Sequence, residues 1–279
     1  MHSEYLFYNH SPFELEQLKL LNNIYNTNSQ HTLETLLRPG MNVLEVGCGS
    51  AILGHWIAER IGEEGTYVGI ERDGQQIRMA EQDALENMVF IESEVERVSE
   101  IALLKGAEFD LIYGRWILAW VLPHHIEQLL ATLYHMLTPN GKLVCEESDF
   151  STTCCVHSDN YDKRIENVAF AQWYLLNFEL AKRYSIDYTL GENIAHWLGK
   201  ATGRVPYTSI FHPHLTKPAN KQLLVLAMQS CRPAVISHNL ATEEEMEALI
   251  DGLERLANDE AVHVHFAKDR IATVVRAGS

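Results

Sequence analysis

Between residues 42 and 146, short runs of apolar residues alternate with stretches in which apolar residues recur every three or four positions. The short runs predict buried strands, and the spaced positions predict amphipathic helices. Predicted strands cover residues 42–46, 66–70, 88–91, 109–113 and 142–146, and predicted helices cover residues 52–61, 75–86 and 125–136. Strands separated by helices form a parallel sheet with helices on both faces. The pattern therefore predicts an α/β fold.

A helix is predicted to precede this region. Ser11 can cap it, Pro12 suits its first position, and Glu14 can complete a capping box. A second short helix is predicted over residues 31–37, and we expect residues 1–40 to form a helical cap. We also expect three aromatic residues near its start to become ordered when a ligand binds: Tyr5, Phe7 and Tyr8.

After residue 150 the pattern changes, because helical segments follow one another without a strand between them. Predicted helices cover residues 161–184, 192–202, 220–230 and 242–257, and predicted strands cover residues 207–211, 262–266 and 271–275. We expect residues 41–150 to form the core of the fold. Residues 151–279 are expected to form a helical lid plus the last two strands of the sheet.

The size and composition of the chain fit one large globular domain, or one domain with a sizeable insert. It has 279 residues, of which 46% are hydrophobic. No run of about 18 apolar residues appears, and the first four residues lack the basic and apolar pattern of a secretion signal. Five cysteines at irregular spacing match neither a zinc site nor a disulfide framework. We therefore expect a cytoplasmic protein with no membrane partner and with reduced thiols.

The net charge of −16 bears on the class of partner. Nucleic-acid binding depends largely on lysine and arginine side chains that neutralise phosphates, so a strongly acidic chain would repel the phosphate backbone. We therefore expect no nucleic-acid partner and a small-molecule substrate. Whether the chain forms a homodimer is left open.

The most informative motif follows the first predicted strand, where Gly47, Cys48 and Gly49 precede a helix. Glycines let the backbone approach a ligand closely, and the helix start offers free N–H groups. This geometry serves a dinucleotide or an adenosyl cofactor, and a tight turn without a ligand is the alternative. Ile52 occupies the position of the third glycine in a dinucleotide motif, which disfavours a pyrophosphate. The acidic Glu45 in the strand suits the ammonium group of S-adenosylmethionine.

A second acidic residue supports a cofactor site. Glu71 ends the next predicted strand, 22 residues beyond Gly49. An acid at this position can accept hydrogen bonds from both ribose hydroxyls. Alone, Glu71 would be interpreted as a solvated surface acid, but together with the glycine loop it favours ligand binding.

These motifs resemble those of class I S-adenosylmethionine-dependent methyltransferases, and more narrowly the bacterial branch that acts on small molecules. The resemblance implies a Rossmann-like, doubly wound sheet of seven strands with helical lid inserts, and residues 41–150 as its cofactor-binding core. It also implies that Glu45, Gly47, Cys48 and Gly49 hold the methionine part of the cofactor. Glu71 would bind the ribose, and Arg72 would lie against the adenine.

The resemblance extends to the next two strands. Ser93, Glu94 and Val95 match the family's Gly-Asp-Ala, in which the acid binds the adenine amino group and the following backbone N–H meets a ring nitrogen. Gly114 and Arg115 match the end of the fourth strand, which faces the sulfonium.

Methyl transfer from a sulfonium is a direct displacement, so alignment of the acceptor in a dry pocket can provide much of the catalysis. A general base is therefore optional. Glu147, Asp149 and His124 are candidates, since they follow strands on the side where ligands collect in such sheets. Each is more often a capping or pocket-edge residue than a base, and no catalytic residue is assigned.

Aromatic residues suggest the nature of the acceptor. A helical stripe after residue 150 is a candidate lid, although such stripes more often belong to a core: Phe170, Trp173, Tyr174 and Phe178. Trp116 and Trp120 are candidates for the opposing wall. Together they indicate a small apolar or aromatic acceptor. His263 and His265 have no acidic or cysteine partner at ligand spacing, so no metal site is expected.

The sequence therefore predicts an S-adenosylmethionine-dependent methyltransferase acting on a small molecule. An NAD-dependent oxidoreductase is one alternative, disfavoured by Ile52 and Glu45. A regulatory protein that binds the cofactor without turnover is the other.

Overall fold

The computed structural model describes residues 11–278, and the predicted ordering of Tyr5, Phe7 and Tyr8 lies outside the described residues. The helices are α1 (Pro12–Glu34), α2 (Ile52–Ile61), α3 (Gly74–Glu81), α4 (Pro123–His135), α5 (Val168–Arg183), α6 (Leu190–Thr202), α7 (Pro218–Ser237) and α8 (Glu243–Asn258). The strands are β1 (Asn42–Val46), β2 (Thr66–Glu71), β3 (Met88–Glu92), β4 (Phe109–Arg115), β5 (Leu137–Asp149), β6 (Cys154–His157), β7 (Asn160–Arg164), β8 (Tyr207–Phe211), β9 (His214–Leu215), β10 (Val262–His265) and β11 (Lys268–Val275). None of the described helices is long and apolar enough to cross a membrane.

The strands form two sheets. Seven of them pair in the order β3-β2-β1-β4-β5-β11-β8, and the first five in this order run parallel to one another. The predicted seven-strand Rossmann-like sheet is therefore confirmed. A separate sheet of four strands has the order β7-β6-β10-β9.

The central strands of the larger sheet are buried on both faces. Successive side chains of a strand point to opposite faces. In β1, Leu44 and Val46 pack in one hydrophobic cluster, whereas Val43 packs in a second cluster. β4 divides in the same way, with Ile112 in the first cluster and Leu111 in the second. This double burial explains why these strands are nearly continuous apolar runs in the sequence.

The chain divides into two compact units. The core unit comprises residues 28–148, 189–210 and the chain from 269 onward, and it contains the seven-strand sheet. The insert unit comprises the chain up to residue 27 with residues 149–188 and 211–268, and it contains the four-strand sheet. In the insert unit, α8 packs against both α5 and α7. The predicted boundaries at residues 40 and 150 remain predictions.

Two helices, α1 and α5, differ from the predicted elements. Two helices were predicted before residue 40, but α1 is a single helix that continues to Glu34. It is continuous because no glycine or proline interrupts the chain between Pro12 and Glu34. α5 begins at Val168 because Asn167 caps it, accepting a hydrogen bond from the Phe170 N–H at 3.0 Å.

The four-strand sheet was not predicted. Residues 161–164 were assigned to a helix, but they belong to β7, whose five residues are all exposed. A polar, exposed strand has no apolar alternation that would reveal it. β10 was expected in the main sheet and instead pairs with β6 and β9, whereas β8 and β11 complete the seven-strand sheet.

Candidate functional site

The loop between β1 and α2 has an unusual backbone. Gly47, Gly49 and Ala51 have φ angles of 71°, 55° and 54°, in the left-handed region that favours glycine. The N–H groups of Gly47 and Cys48 both donate to the carbonyl oxygen of Ile70, at 2.8 and 3.0 Å. The loop is therefore held against the end of β2 in a conformation that most sequences avoid.

The two glycines serve different purposes. A Cβ atom on Gly47 would lie 2.8 Å from Cδ1 of Ile117, so a side chain there would displace Ile117 and would also strain a backbone with a φ angle of 71°. Among residues 11–278, the atom nearest to a Cβ atom on Gly49 would be Oε1 of Gln76, at 3.9 Å. Gly49 therefore faces open space, which is the surface a cofactor needs for close approach to the backbone.

Glu71 is buried and holds the loop in place. Its Oε2 accepts a hydrogen bond from the Gly49 N–H at 3.1 Å, and its Oε1 accepts from the N–H groups of Arg72 and Asp73 at 2.8 and 3.0 Å. Burial raises the pKa of this carboxyl, although the three N–H groups act in the opposite direction. The structure thus brings Gly49, Glu71 and Arg72 together, as a cofactor site requires.

Glu45 and Cys48 lie on the buried side of the same loop. The Glu45 carboxylate accepts a hydrogen bond from the Tyr67 hydroxyl at 2.5 Å, and burial raises its pKa to about 7. Burial also raises the pKa of the Cys48 thiol well above its usual value, so the thiol is protonated at neutral pH. The contact of Glu45 and Cys48 with the methionine part of a cofactor remains a prediction.

Glu94 and Val95 occupy the turn after β3. Glu94 is half-buried and precedes a short 3-10 helix over Val95–Glu100. The Val95 side chain is buried in the hydrophobic core. Because this side chain faces inward, the predicted adenine contact at residue 95 would have to come from its backbone N–H.

A buried acidic cluster that the sequence analysis missed lies in the core unit. Glu146 is fully buried and accepts hydrogen bonds from the hydroxyls of Ser29 at 2.7 Å and Tyr113 at 2.6 Å. Asp269 is also fully buried and accepts from the Trp116 indole N–H and the Ser148 hydroxyl, each at 2.9 Å. The one signal for Glu146 was an acid within an apolar strand.

The carboxyl of Asp269 has a raised pKa in this cluster. Burial raises its pKa well above the usual range, and the neighbouring Glu146 carboxylate raises it further. Within residues 11–278, Asp269 Oδ2 is buried and has no hydrogen-bond partner.

Arg115 supplies the positive charge next to this pair. Its guanidinium donates to the Ser29 hydroxyl at 3.1 Å and interacts electrostatically with Glu146, Glu45 and Asp269. It also lies over the Trp116 ring, 4.7 Å from the ring centre. Arg115 was predicted to face the cofactor, and that role remains a prediction. The structure shows it as the counter-ion of buried carboxyls.

The three candidate bases have capping or surface positions. Glu147 is buried and accepts the Leu118 N–H at 2.7 Å, and it caps the 3-10 turn that follows β4. Asp149 accepts the Ser151 N–H and caps another 3-10 turn. His124 is exposed in the first turn of α4 and packs on His125. These positions agree with the hypothesis that such residues are more often caps than bases.

The aromatic stripe of α5 divides between core and surface. Trp173 is only 2% exposed and stacks on Phe170, so these two rings belong to the core of the insert unit. Tyr174 and Phe178 are half-buried, with ring centres 4.6 Å apart. Only this second pair retains area for a ligand.

The free energy of unfolding is expected to fall by about 1–2 kcal/mol as the pH rises from 6.5 to 8. Burial raises the pKa of Glu45 to about 7 and that of Glu147 to about 8. Over this range the folded protein holds protons that the unfolded chain has already lost. A folded state that binds more protons becomes less stable as the pH rises. Urea denaturation at a series of pH values measures the effect.

Glu147→Gln is the matched variant for this measurement, because it removes one titrating group and keeps its shape. Its stability should depend less on pH between 6.5 and 8. Burial lowers the pKa of His212 to about 4, and that group affects stability only below the ordinary histidine pKa of 6.5. Stability that rises between pH 6.5 and 8 would contradict the prediction.

Comparison with known proteins identifies the family. A family model described as a methyltransferase domain matches residues 37–201, which is more than half of the chain. Two curated relatives, both named ribosomal protein L11 methyltransferase, come from Thermosipho africanus and Thermosipho melanesiensis. They are 34% identical over 97 residues and 37% identical over 98 residues, and each match covers 35% of both proteins. The chain thus spans about a third of the length of the curated relatives it matches.

Solved structures share the fold at low identity. A cyclopropane-fatty-acyl-phospholipid synthase-like protein from Lactobacillus casei has a TM-score of 0.55 at 12% identity, covering 94% of this chain and 92% of that chain. The cyclopropane synthase MmaA2 from Mycobacterium tuberculosis has a TM-score of 0.51 at 15% identity, covering 97% of this chain and 88% of that chain. At these identities the likeness establishes the fold alone.

Proposed function

This chain belongs to the methyltransferase-domain family, and we propose that it transfers the methyl group of S-adenosylmethionine to a small-molecule acceptor. The observation that carries the proposal is the loop after β1, in which Gly49 faces open space and is anchored to the buried carboxylate of Glu71. A glycine loop joined to an acid at the end of the next strand is suited to a nucleoside cofactor.

The residues present fit this cofactor. The open face of Gly49 would accommodate its amino-acid part, and Glu71 and Arg72 would lie on its adenosine side. The buried Glu45 would offer negative charge for an ammonium group. When bound, S-adenosylmethionine supplies an activated methyl group for direct displacement, so the chain has to orient the acceptor and exclude water rather than form a covalent intermediate.

Charge and aromatic surface support a small acceptor. The net charge of −16 opposes binding of nucleic acid. In the insert unit, Tyr174 and Phe178 offer half-buried rings, and Asp149 lies near enough to raise the pKa of the Tyr174 hydroxyl further, although burial is the larger cause. Two aromatic rings with a carboxylate nearby are suited to bind a small acceptor molecule that is mostly apolar and has one polar group.

Calorimetric titration of the purified protein tests the cofactor. S-adenosylmethionine and S-adenosylhomocysteine are expected to bind with one site per chain, and NAD is expected not to bind. Incubation with radiolabelled S-adenosylmethionine and a metabolite extract is then expected to label a small molecule. Binding without any turnover would favour the regulatory alternative, and tighter binding of NAD would favour the oxidoreductase.

A protein acceptor is the second candidate, because the curated relatives are named ribosomal protein L11 methyltransferase. The match covers only 35% of those relatives, so it supports a shared domain more directly than a shared acceptor. Parallel labelling of ribosomal proteins and transfer RNA provides the comparison. A higher specificity constant for either macromolecule than for any metabolite would overturn the small-molecule proposal.

Tyr174→Ala is expected to raise the KM for the acceptor at least about tenfold and to leave the affinity for S-adenosylmethionine unchanged. The physical reason is that the variant removes only ring area from the proposed acceptor surface. Leu175→Ala is the matched control, since Leu175 is the next residue of α5 and is 62% exposed. Equal loss of acceptor turnover in both variants would contradict the assignment.

A further inference from the structure

We propose that His212, His214 and His265 bind one divalent transition-metal ion of the zinc class. The site lies in the insert unit and joins two parts of the chain that are distant in sequence. β9 and β10 pair with His214 directly opposite His265, so these two side chains point to the same face of the four-strand sheet. His212 precedes β9 by two residues and completes the group.

The three imidazoles are close enough to share an ion. One ring nitrogen from each histidine lies within 4.8 Å of the other two. A tetrahedral zinc site, with Zn–N bonds of about 2.0–2.1 Å, places its nitrogen ligands roughly 3.3 Å apart. Each ring therefore needs to move inward by less than about 1 Å to reach this geometry.

Side-chain rotation alone can produce this movement. The rings of His214 and His265 are stacked, with centres 4.1 Å apart and planes 8° apart. An imidazole binds a metal ion through a nitrogen lone pair that lies in the plane of the ring. Two stacked rings cannot both point such a lone pair at one ion, so at least one of them has to turn about its side-chain bonds. His214 is exposed, so its ring has solvent on one side into which it can turn.

Unpartnered nitrogen atoms indicate that the cluster is built for a ligand. Nε2 of His212 and Nε2 of His265 are both buried and have no hydrogen-bond partner among the residues that the structure describes. A neutral imidazole nitrogen without a hydrogen-bond partner keeps its lone pair available for a metal ion.

Charged side chains of both signs surround the group. Lys268 and Arg164 lie near enough to His212 and His265, respectively, to disfavour a further positive charge. Asp162 acts on His265 in the opposite direction. The ring of Tyr161 lies 5.6 Å from His214 and 5.7 Å from His265, so it covers the group on one side.

The donor set defines the class of ion. Three imidazole nitrogens suit zinc, copper or nickel, whereas magnesium and calcium prefer oxygen ligands. Three protein ligands leave a fourth tetrahedral position for water or another ligand. No metal site was predicted from the sequence, because His263 and His265 lie on one strand without a further ligand at suitable spacing. His212 and His214 come from a different segment of the chain and join His265 only in the folded structure.

Calorimetric titration of the full chain, free of any affinity tag and treated with a chelator, tests the proposal. Zn²⁺ is expected to bind with one site per chain, and Mg²⁺ is expected not to bind. His214→Ala and His265→Gln are each expected to weaken Zn²⁺ binding by at least about tenfold. His196→Ala is the matched control, because His196 is an exposed histidine in the core unit.

Zn²⁺ affinity that is the same in the wild type, His214→Ala and His265→Gln would overturn the proposal, as would equal affinity for Zn²⁺ and Mg²⁺. His214 is exposed, so its replacement should leave the fold intact by circular dichroism. The absorption spectrum of Co²⁺ bound to the wild type provides a second measurement that needs no variant. A tetrahedral spectrum that Zn²⁺ abolishes supports the site, and an octahedral spectrum contradicts it.

Discussion

Arg115→Met is expected to lower the free energy of unfolding by about 3 kcal/mol. The guanidinium is the positive charge beside Glu146, Glu45 and Asp269, all of which are buried. Methionine retains much of the apolar stem but leaves these carboxyls without a counter-ion. Removal of one member of a buried ion pair is costly because the remaining charge is left in a medium of low dielectric constant. Denaturation in urea measures the loss.

Arg60→Met is the matched control, because Arg60 makes the same types of contact at the surface. It pairs with Glu34 at 2.9 Å and lies 4.2 Å from the centre of the Trp56 ring. Its side chain is 37% exposed and that of Glu34 is 59% exposed. Solvent screens such a pair, so this variant should lose no more than about 1 kcal/mol.

The double variant Arg115→Met/Glu146→Gln separates the loss of charge balance from the loss of packing. It should recover part of the stability, since glutamine removes the buried negative charge that the first substitution left unpaired. Equal destabilisation by Arg115→Met and Arg60→Met would contradict the proposed role of Arg115 as a counter-ion, and so would a double variant less stable than Arg115→Met.

The main sheet and the glycine loop after β1 could be predicted because their signals are local. Buried parallel strands appear as short apolar runs, and two glycines directly after the first of them identify the loop. The pairing of Gly49 with Glu71 follows from β1 and β2 being adjacent parallel strands. The strands, the loop and the contact between Gly49 and Glu71 all depend on residues within one β-α-β unit. A short stretch of sequence is therefore enough to predict them.

The acidic cluster and the histidine group could not be predicted, because both join distant parts of the chain. Asp269 meets Ser148 across 121 residues, and no pattern in either segment refers to the other. His212 and His265 are brought together by the pairing of β9 with β10, and β9 has only two residues. A strand this short has no periodicity. Contacts of this kind become visible only once the topology is known.

Gly49→Val is expected to weaken binding of S-adenosylmethionine by at least roughly a hundredfold, or about 2.7 kcal/mol. The added side chain would extend into the open space that the proposed cofactor occupies. It would also sit on a backbone with a φ angle of 55°, which a β-branched residue strongly disfavours. Calorimetric titration with S-adenosylmethionine and S-adenosylhomocysteine measures the affinity.

Gly106→Val separates these two effects. Gly106 has a φ angle of 77°, and no heavy atom of the described residues lies within 4 Å of an added Cβ atom. Both variants carry backbone strain of roughly 1–3 kcal/mol, so both should be less stable than the wild type by a similar amount. Only Gly49→Val blocks the proposed cofactor surface, and Gly106→Val should therefore bind S-adenosylmethionine as tightly as the wild type does. If both variants lose affinity equally, strain spreading through the core unit explains the loss. If Gly49→Val is folded by circular dichroism and binds normally, the cofactor does not lie over this loop.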